Sequence, residues 1–174
     1  MAQLSAVDRA HLGDVRPDLL QRVLQLLDSA QAQLGFTLAV PADGGVRTNA
    51  RQAQLYADSL AQGGGVLAYP VATPGSGRHE YGAAVDLHII AGGSGDGGRG
   101  TDADYQQLAD VAEAVGLVAG YYFSNSDPYH FQLAEPLAES QAQWAQLHNG
   151  HGPGAVLLLV VAVAIGAAAY SHHR

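Results

Sequence analysis

The stretch His79-Glu80-Tyr81-Gly82-Ala83-Ala84-Val85-Asp86-Leu87-His88-Ile89-Ile90 carries the densest chemistry in the chain and decides how the rest is read. From Ala83 to Ile90 it is aliphatic and β-branched, the composition of a strand. Alternation along that strand puts Asp86, His88 and Ile90 on one face, with Leu87 and Ile89 pointing the other way into a core. The small residues Gly82, Ala83 and Ala84 let the backbone turn tightly into the strand and leave room beside it. An acid in so apolar a strand is expensive unless it is paired or binds a metal. Glu80 reads as exposed, and His88 as either a support for the acid or a solvated side chain.

Outward from this strand the chain alternates helices with short strands. Pro17 to Leu34 sets Leu19, Leu20, Val23, Leu24, Leu27 and Leu34 on one helical face, with Pro17 at the start and Gly35 as the stop. Phe36 to Val40 reads as a strand. Asn49 is expected to cap a helix through Leu60, with Gln52 reaching back to it. The segment from Gly92 to Gly100, GGSGDGGRG, reads as a mobile loop, and it lacks the Lys-Ser/Thr of a phosphate-binding loop. Thr101 or Asp102 caps a helix through Val115. Two short strands follow, near Leu117 to Phe123 and Tyr129 to Leu133, and then an amphipathic helix from Pro136 to Leu147. The expected fold class is α+β, with one small antiparallel sheet flanked by helices.

Composition excludes several alternatives. The chain has 174 residues, enough for one domain and an appendage. It has no cysteine, so neither a disulfide framework nor a thiolate zinc finger is open to it. A metal would be held by His and carboxylates. The formal charge of −8 argues against nucleic acid as a partner.

The C-terminus reads differently. Ala155 to Tyr170, AVLLLVVAVAIGAAAY, carries no charge and is apolar all round a helix. Such a helix would be roughly 24 Å long, slightly short of a hydrocarbon core of ~30 Å. The expected organisation is therefore a domain over residues 1–147, a linker over 148–154 and a transmembrane anchor over 155–171. Arg174 beyond the span favours a cytoplasmic C-terminus, with the main domain on the other side. Met1 to Leu12 holds Asp8, Arg9 and His11 and no apolar run, so a signal peptide is not expected there. The expected location is membrane-associated with the domain facing the cell wall, or within a virion.

Three places concentrate the reactive groups: His79 to Asp86, Asp127-Pro128-Tyr129-His130-Phe131, and Gly45-Val46-Arg47-Thr48. A His, an Asp seven residues later and a remote His are by themselves most often unrelated. As a set, two imidazoles and one carboxylate suit a catalytic zinc, because they fill three tetrahedral positions and leave the fourth open. Pro128 disfavours helical backbone at Asp127, which fits a loop ahead of the His130 strand.

The string H-x-x-G-x-A-x-D, followed about forty residues later by D-P-Y-H-F, resembles the D-alanyl-D-alanine carboxypeptidase / L-alanyl-D-glutamate peptidase family of zinc enzymes that cut peptidoglycan stem peptides. The upstream G-V-R-T-N-A-R-Q-A-Q-L-Y is similar to that family's Gly-aromatic-Arg-Ser segment and the helix after it. The resemblance runs from Val40 to Leu133. It implies His79, Asp86 and His130 as zinc ligands, Asp127 as general base, and Arg47 as the group that steadies the substrate's carbonyl oxygen or carboxylate as negative charge builds up. Three departures stand out. Gly77 sits where the family has a serine, Val46 replaces the aromatic, and Gln132 stands where Glu often follows His-Phe. Asp127 in place of Glu resembles the phage endolysin branch, which cleaves the L-Ala–D-Glu bond. The expected function is zinc-dependent hydrolysis of that bond, in phage lysis or wall penetration, with peptidoglycan stem peptides, the membrane and virion or lysis components as partners. Two alternatives remain: a D-Ala-D-Ala carboxypeptidase of the same fold, and a non-catalytic zinc-bearing wall-binding module.

Overall fold

The structure, a computed structural model, describes residues 4–61 and 71–149. A division after Ser140 separates two units along the chain. The elements that build the site lie in the first unit.

The chain opens with a helix absent from the sequence reading, α1 (Ala6–Leu12). Ser5 and Asp8 form a reciprocal capping box at its start, which satisfies N–H groups that a seven-residue helix would otherwise leave bare. Helix α2 (Pro17–Leu34) buries Leu19, Val23, Leu26, Leu27 and Ala30. Its inward face is thus centred further toward Leu26 and Ala30 than the leucine pattern suggests, and Leu20, Leu24 and Leu34 are only partly buried against the core. Gly35 ends it with φ 73°, a left-handed conformation that glycine adopts without a Cβ penalty. Strand β1 (Thr37–Ala39) follows, then α3 (Asn49–Ala61). The Thr48 hydroxyl accepts from the Arg51 N–H at 3.1 Å, so Thr48 and not Asn49 caps α3. Gln52 does not reach back to the cap; its amide donates to the Ala72 carbonyl at 2.7 Å.

A single 3-10 turn, Arg78–Tyr81, leads into β2 (Ala84–Asp86) and β3 (His88–Ala91). Helix α4 (Asp102–Ala114), strands β4 (Leu117–Ala119) and β5 (His130–Leu133), and α5 (Leu137–His148) complete the order. The expectation of one sheet is corrected. Strand β3 pairs antiparallel with β1, while β2, β5 and β4 form a second antiparallel sheet in the order β2-β5-β4. The stretch Ala83 to Ile90 is accordingly two strands, and the switch between sheets falls at Leu87. There the Asp86 N–H goes to the Gly44 carbonyl at 2.7 Å and the Leu87 N–H to the Tyr129 carbonyl at 2.9 Å.

The apolar faces of α2 and α4 close over these strands, with α2 against α4 and β1, and α4 against β4. Phe131, fully buried on β5, sits in the core with Leu19, Leu26, Leu87, Leu108 and Leu117. The glycine-rich stretch from Gly92 to Gly100 is an organised loop. Asp104, 5 % exposed, accepts from the N–H and hydroxyl of both Ser94 and Thr101. Those bonds, led by the Thr101 N–H, outweigh the cost of burial and hold its carboxyl below the usual carboxylate range.

The expected transmembrane helix is also corrected. Among the described residues no helix is long and apolar enough to cross a membrane. The stretch 155–171 lies outside the described residues. Membrane association through that tail and a place within a virion have no support in this fold.

Removing the Phe131 ring leaves a cavity directly behind His130. Phe131→Ala is expected to lower the unfolding free energy by about 3–5 kcal/mol in a denaturant titration; a loss below about 1 kcal/mol would show that β5 is not part of the core.

Candidate metal centre

Asp86 and His130 are directly opposed in the antiparallel pairing of β2 with β5. Cross-strand partners sit close enough for their side chains to meet on one face of a sheet. His79 arrives from the 3-10 turn, which Gly82 ends in a left-handed conformation at φ 59°. One ligand-capable atom from each of His79, Asp86 and His130 lies within 4.8 Å of the other two. His79 Nε2 is 3.2 Å from His130 Nδ1 and 3.2 Å from Asp86 Oδ1, and His130 Nδ1 is 3.4 Å from the same oxygen. Zinc bonds of about 2.0–2.1 Å at tetrahedral angles would separate donor atoms by about 3.3–3.4 Å. The three atoms stand close to those separations.

The far nitrogens of both rings are engaged. His79 Nδ1 donates to the Gly45 carbonyl at 2.8 Å, and His130 Nε2 donates to Gln132 Oε1 at 3.0 Å. Each bond fixes the tautomer that turns a lone pair toward the other ligands, as supports of metal-bound histidines do. Two lone pairs and a carboxylate facing one another call for positive charge between them, either a proton or a metal ion. Burial holds His79 below the usual histidine range and so favours its neutral, ligating form. Burial works against the Asp86 carboxylate too, but the two imidazoles outweigh it and keep its pKa far below the usual range. The donor set, two nitrogens and one oxygen, fits zinc.

Four consecutive residues clamp two of the candidate ligands. The Gly44 carbonyl takes the Asp86 N–H and the Gly45 carbonyl takes His79 Nδ1, while the Arg47 N–H donates to the His79 carbonyl at 3.2 Å. The Val46 N–H reaches the Leu12 carbonyl at 2.9 Å, which ties the clamp to the end of α1. A Cβ at Gly45 would stand 2.1 Å from the Leu12 carbonyl oxygen, so only glycine admits this approach. The Arg47 guanidinium pairs with Asp86 Oδ2, the oxygen turned away from the histidines, and donates from Nε to the Asp43 carbonyl at 2.7 Å.

A cavity of about 650 Å³ opens over His79, Asp86 and His130. Its wall includes Arg47, Arg78, His88, Asp127, Tyr129 and Gln52. Asp127 is held by its backbone: its N–H donates to the Gly120 carbonyl at 2.9 Å, and its own carbonyl takes the His130 N–H at 3.2 Å. Burial pushes its carboxyl up, the Asp86 charge adds to this, and the imidazoles of His130 and His79 oppose it. His88 packs its ring 4.5 Å from that of Tyr129 and takes no part in the three-residue cluster.

The sequence reading did not single out the acceptors that orient the rings. Gln132 was noted only as a departure, although it stands two residues from His130 on the same face of β5, a spacing that could have exposed its role. Glu80 is corrected from exposed to buried: its carboxylate takes the Gly75 N–H at 2.9 Å and the Gly77 N–H at 3.1 Å, shaping the loop at the cavity edge. Gln52 is 1 % exposed, and its Oε1 has no partner among the described residues, which leaves a buried acceptor at the cavity wall.

A family model described as VanY, D-alanyl-D-alanine carboxypeptidase, matches residues 13–135, a span that holds all three ligands, Arg47 and Asp127. The chain belongs to this family. As a VanY-family member it is a metallopeptidase, and zinc is the cofactor that its donor set fits. Solved structures share the fold. The L-Ala D-Glu endopeptidase ChiX of Serratia marcescens is similar with a TM-score of 0.54 at 21% identity, over 76% of this chain and 90% of that one. A mutant of the vancomycin-resistance D,D-pentapeptidase VanY, solved with Zn(II), is similar with a TM-score of 0.56 at 21% identity, over 82% of each chain. The LD-carboxypeptidase LdcB is similar with a TM-score of 0.54 at 19% identity, over 83% of this chain and 70% of that one. A search of curated protein sequences gives no match.

Gln132→Leu keeps all three ligands but removes the acceptor that orients His130. Zinc affinity, measured by competition with a chromogenic chelator, is expected to fall about 10–100-fold; unchanged affinity would mean that Gln132 does not hold the ring.

Proposed function

We propose that the chain hydrolyses a peptide bond of peptidoglycan stem peptides, the L-Ala–D-Glu bond in preference to the terminal D-Ala–D-Ala bond, with residues 1–147 as the catalytic region. The observation that carries this reading is the presence of Asp127 in the wall of the same cavity as the three converging ligand atoms. Asp127 at the base position, which resembles the endolysin branch, supports the first bond; the fold is shared with an L-Ala D-Glu endopeptidase and with a D,D-pentapeptidase alike. The family's description as D-alanyl-D-alanine carboxypeptidases favours the second bond as the alternative.

His79, Asp86 and His130 would hold zinc, which when bound supplies a Lewis acid for the carbonyl and for the attacking water. Asp127 takes a proton from that water as its oxygen bonds to the carbonyl carbon. The same carboxyl then returns the proton to the amine nitrogen as the C–N bond breaks. Burial and the nearby Asp86 charge raise its pKa toward the range where one group can serve as base and then as acid. Arg47 has Nε and Nη2 engaged by Asp43 and Asp86, which leaves Nη1 to meet the charge that builds on the carbonyl oxygen. The pairing with Asp86 also holds the second oxygen of that ligand away from the open side. A non-catalytic wall-binding module would need neither Asp127 nor Arg47 in the cavity.

The test is digestion of purified peptidoglycan by the zinc-loaded chain, with product masses read out. New L-Ala C-termini are expected; loss of only a terminal D-Ala would favour the carboxypeptidase. His130→Ala is expected to lose zinc and turnover together, and so is the wild-type chain after exhaustive chelation. Asp127→Ala is expected to keep zinc and lose about 100-fold or more of its turnover. A fully active Asp127→Ala protein would remove Asp127 from the chemistry.

A further inference from the structure

Two arginines line the cavity, and they are placed differently. Arg47 is committed to Asp86 and to the Asp43 carbonyl. Arg78 is half-buried, adjoins the ligand His79 in the 3-10 turn, and has no carboxylate within ion-pairing distance among the described residues. Its side-chain bond within the protein runs from Nη1 to the Ser140 hydroxyl, at 3.1 Å.

The groups behind that bond explain why the charge of Arg78 stays available. Ser140 is fully buried, and its hydroxyl proton goes to Glu135 Oε1 at 2.8 Å. Its oxygen is therefore left to accept from Arg78. Glu135 is in turn bound by Arg16, whose side chain is 1% exposed and which also pairs with Asp18. The serine stands between Glu135 and Arg78, so the carboxylate neutralises Arg16 and Arg78 is aimed without being discharged. A guanidinium in this setting is costly unless an anion meets it. Nε and Nη2 remain to donate as a pair, the geometry that matches a carboxylate. Asp127 lines the same cavity, and a cation in the wall would help to seat an anionic substrate beside it. Gly77, beside Arg78, contributes no side chain of its own.

We infer that Arg78 is a specificity-determining residue that binds the free carboxylate of the residue on the leaving side of the scissile bond. The inference rests on the stem-peptide reading above. Both candidate bonds leave a residue of that kind, either D-Glu with its α-carboxylate or the terminal D-Ala, and the shared chemistry is the carboxylate.

The test uses the zinc-loaded full chain with two pairs of synthetic peptides. One pair carries the L-Ala–D-Glu bond with the D-Glu α-carboxylate free or amidated, and the other ends in D-Ala-D-Ala as free acid or C-terminal amide. For the pair whose acid is cleaved, the wild type is expected to prefer the acid by about 10–100-fold in kcat/KM, mostly through KM. Arg78→Gln is expected to bring that ratio close to one, and Arg78→Lys to restore part of it. Zinc content and circular dichroism show that the variants are folded. An acid preference that survives in Arg78→Gln, or no preference in the wild type, overturns the assignment while leaving the peptidase reading intact. Cleavage of none of the four peptides by the wild type overturns the stem-peptide reading, and the role of Arg78 falls with it.

Discussion

The pairing of Asp86 with His130 across β2 and β5 is the constraint on which the site depends. It brings two candidate ligands from distant parts of the chain face to face through main-chain hydrogen bonds that neither side chain makes. A one-residue slip of β5 would turn His130 to the opposite face. Phe131 resists that slip because its ring, on the other face of β5, is wholly buried in the core. The third ligand is then set by the clamp at Gly44, Gly45 and Arg47, which grips both the His79 ring and the Asp86 backbone. The stability of the fold and the geometry of the centre are thus secured by the same short elements.

Electrostatics add to this a site that favours a cation and a cavity of uneven charge. Gly45 and Gln132 engage the far nitrogen of each ring, which leaves His79 Nε2 and His130 Nδ1 turned toward each other and toward Asp86. Around them, Asp86 and Asp127 make one part of the wall acidic, and Arg47 answers only the first of these. Arg78 supplies the remaining positive charge, held in place by Ser140 and fed by no direct carboxylate. A substrate that carries a carboxylate beside a scissile amide meets complementary groups at both points.

Much of this was legible in the sequence, for definable reasons. Helices α2 and α4 declare themselves through periodicity and stop signals, and the motif around His79 and Asp86 contains ligand types at informative spacing. Other features depend on contacts between distant segments. That the strand divides at Leu87 follows from where Gly44 and Tyr129 arrive, which no local pattern encodes. Glu80 looks like a surface acid until two loop N–H groups close on it. Thr48 and Asn49 are both good caps, and only the observed bond to Arg51 decides between them. The expected membrane helix rested on composition alone: among the described residues no helix is long and apolar enough to cross a membrane, and the stretch 155–171 lies outside them.

The most direct measurement is X-ray absorption at the zinc edge on the zinc-loaded full chain, with metal content determined on the same sample. One zinc per chain with two imidazole nitrogens and oxygen ligands at about 2.0–2.2 Å is the predicted result. A chain that retains no zinc, or one whose metal shows an oxygen-only shell without imidazole scattering, would contradict it.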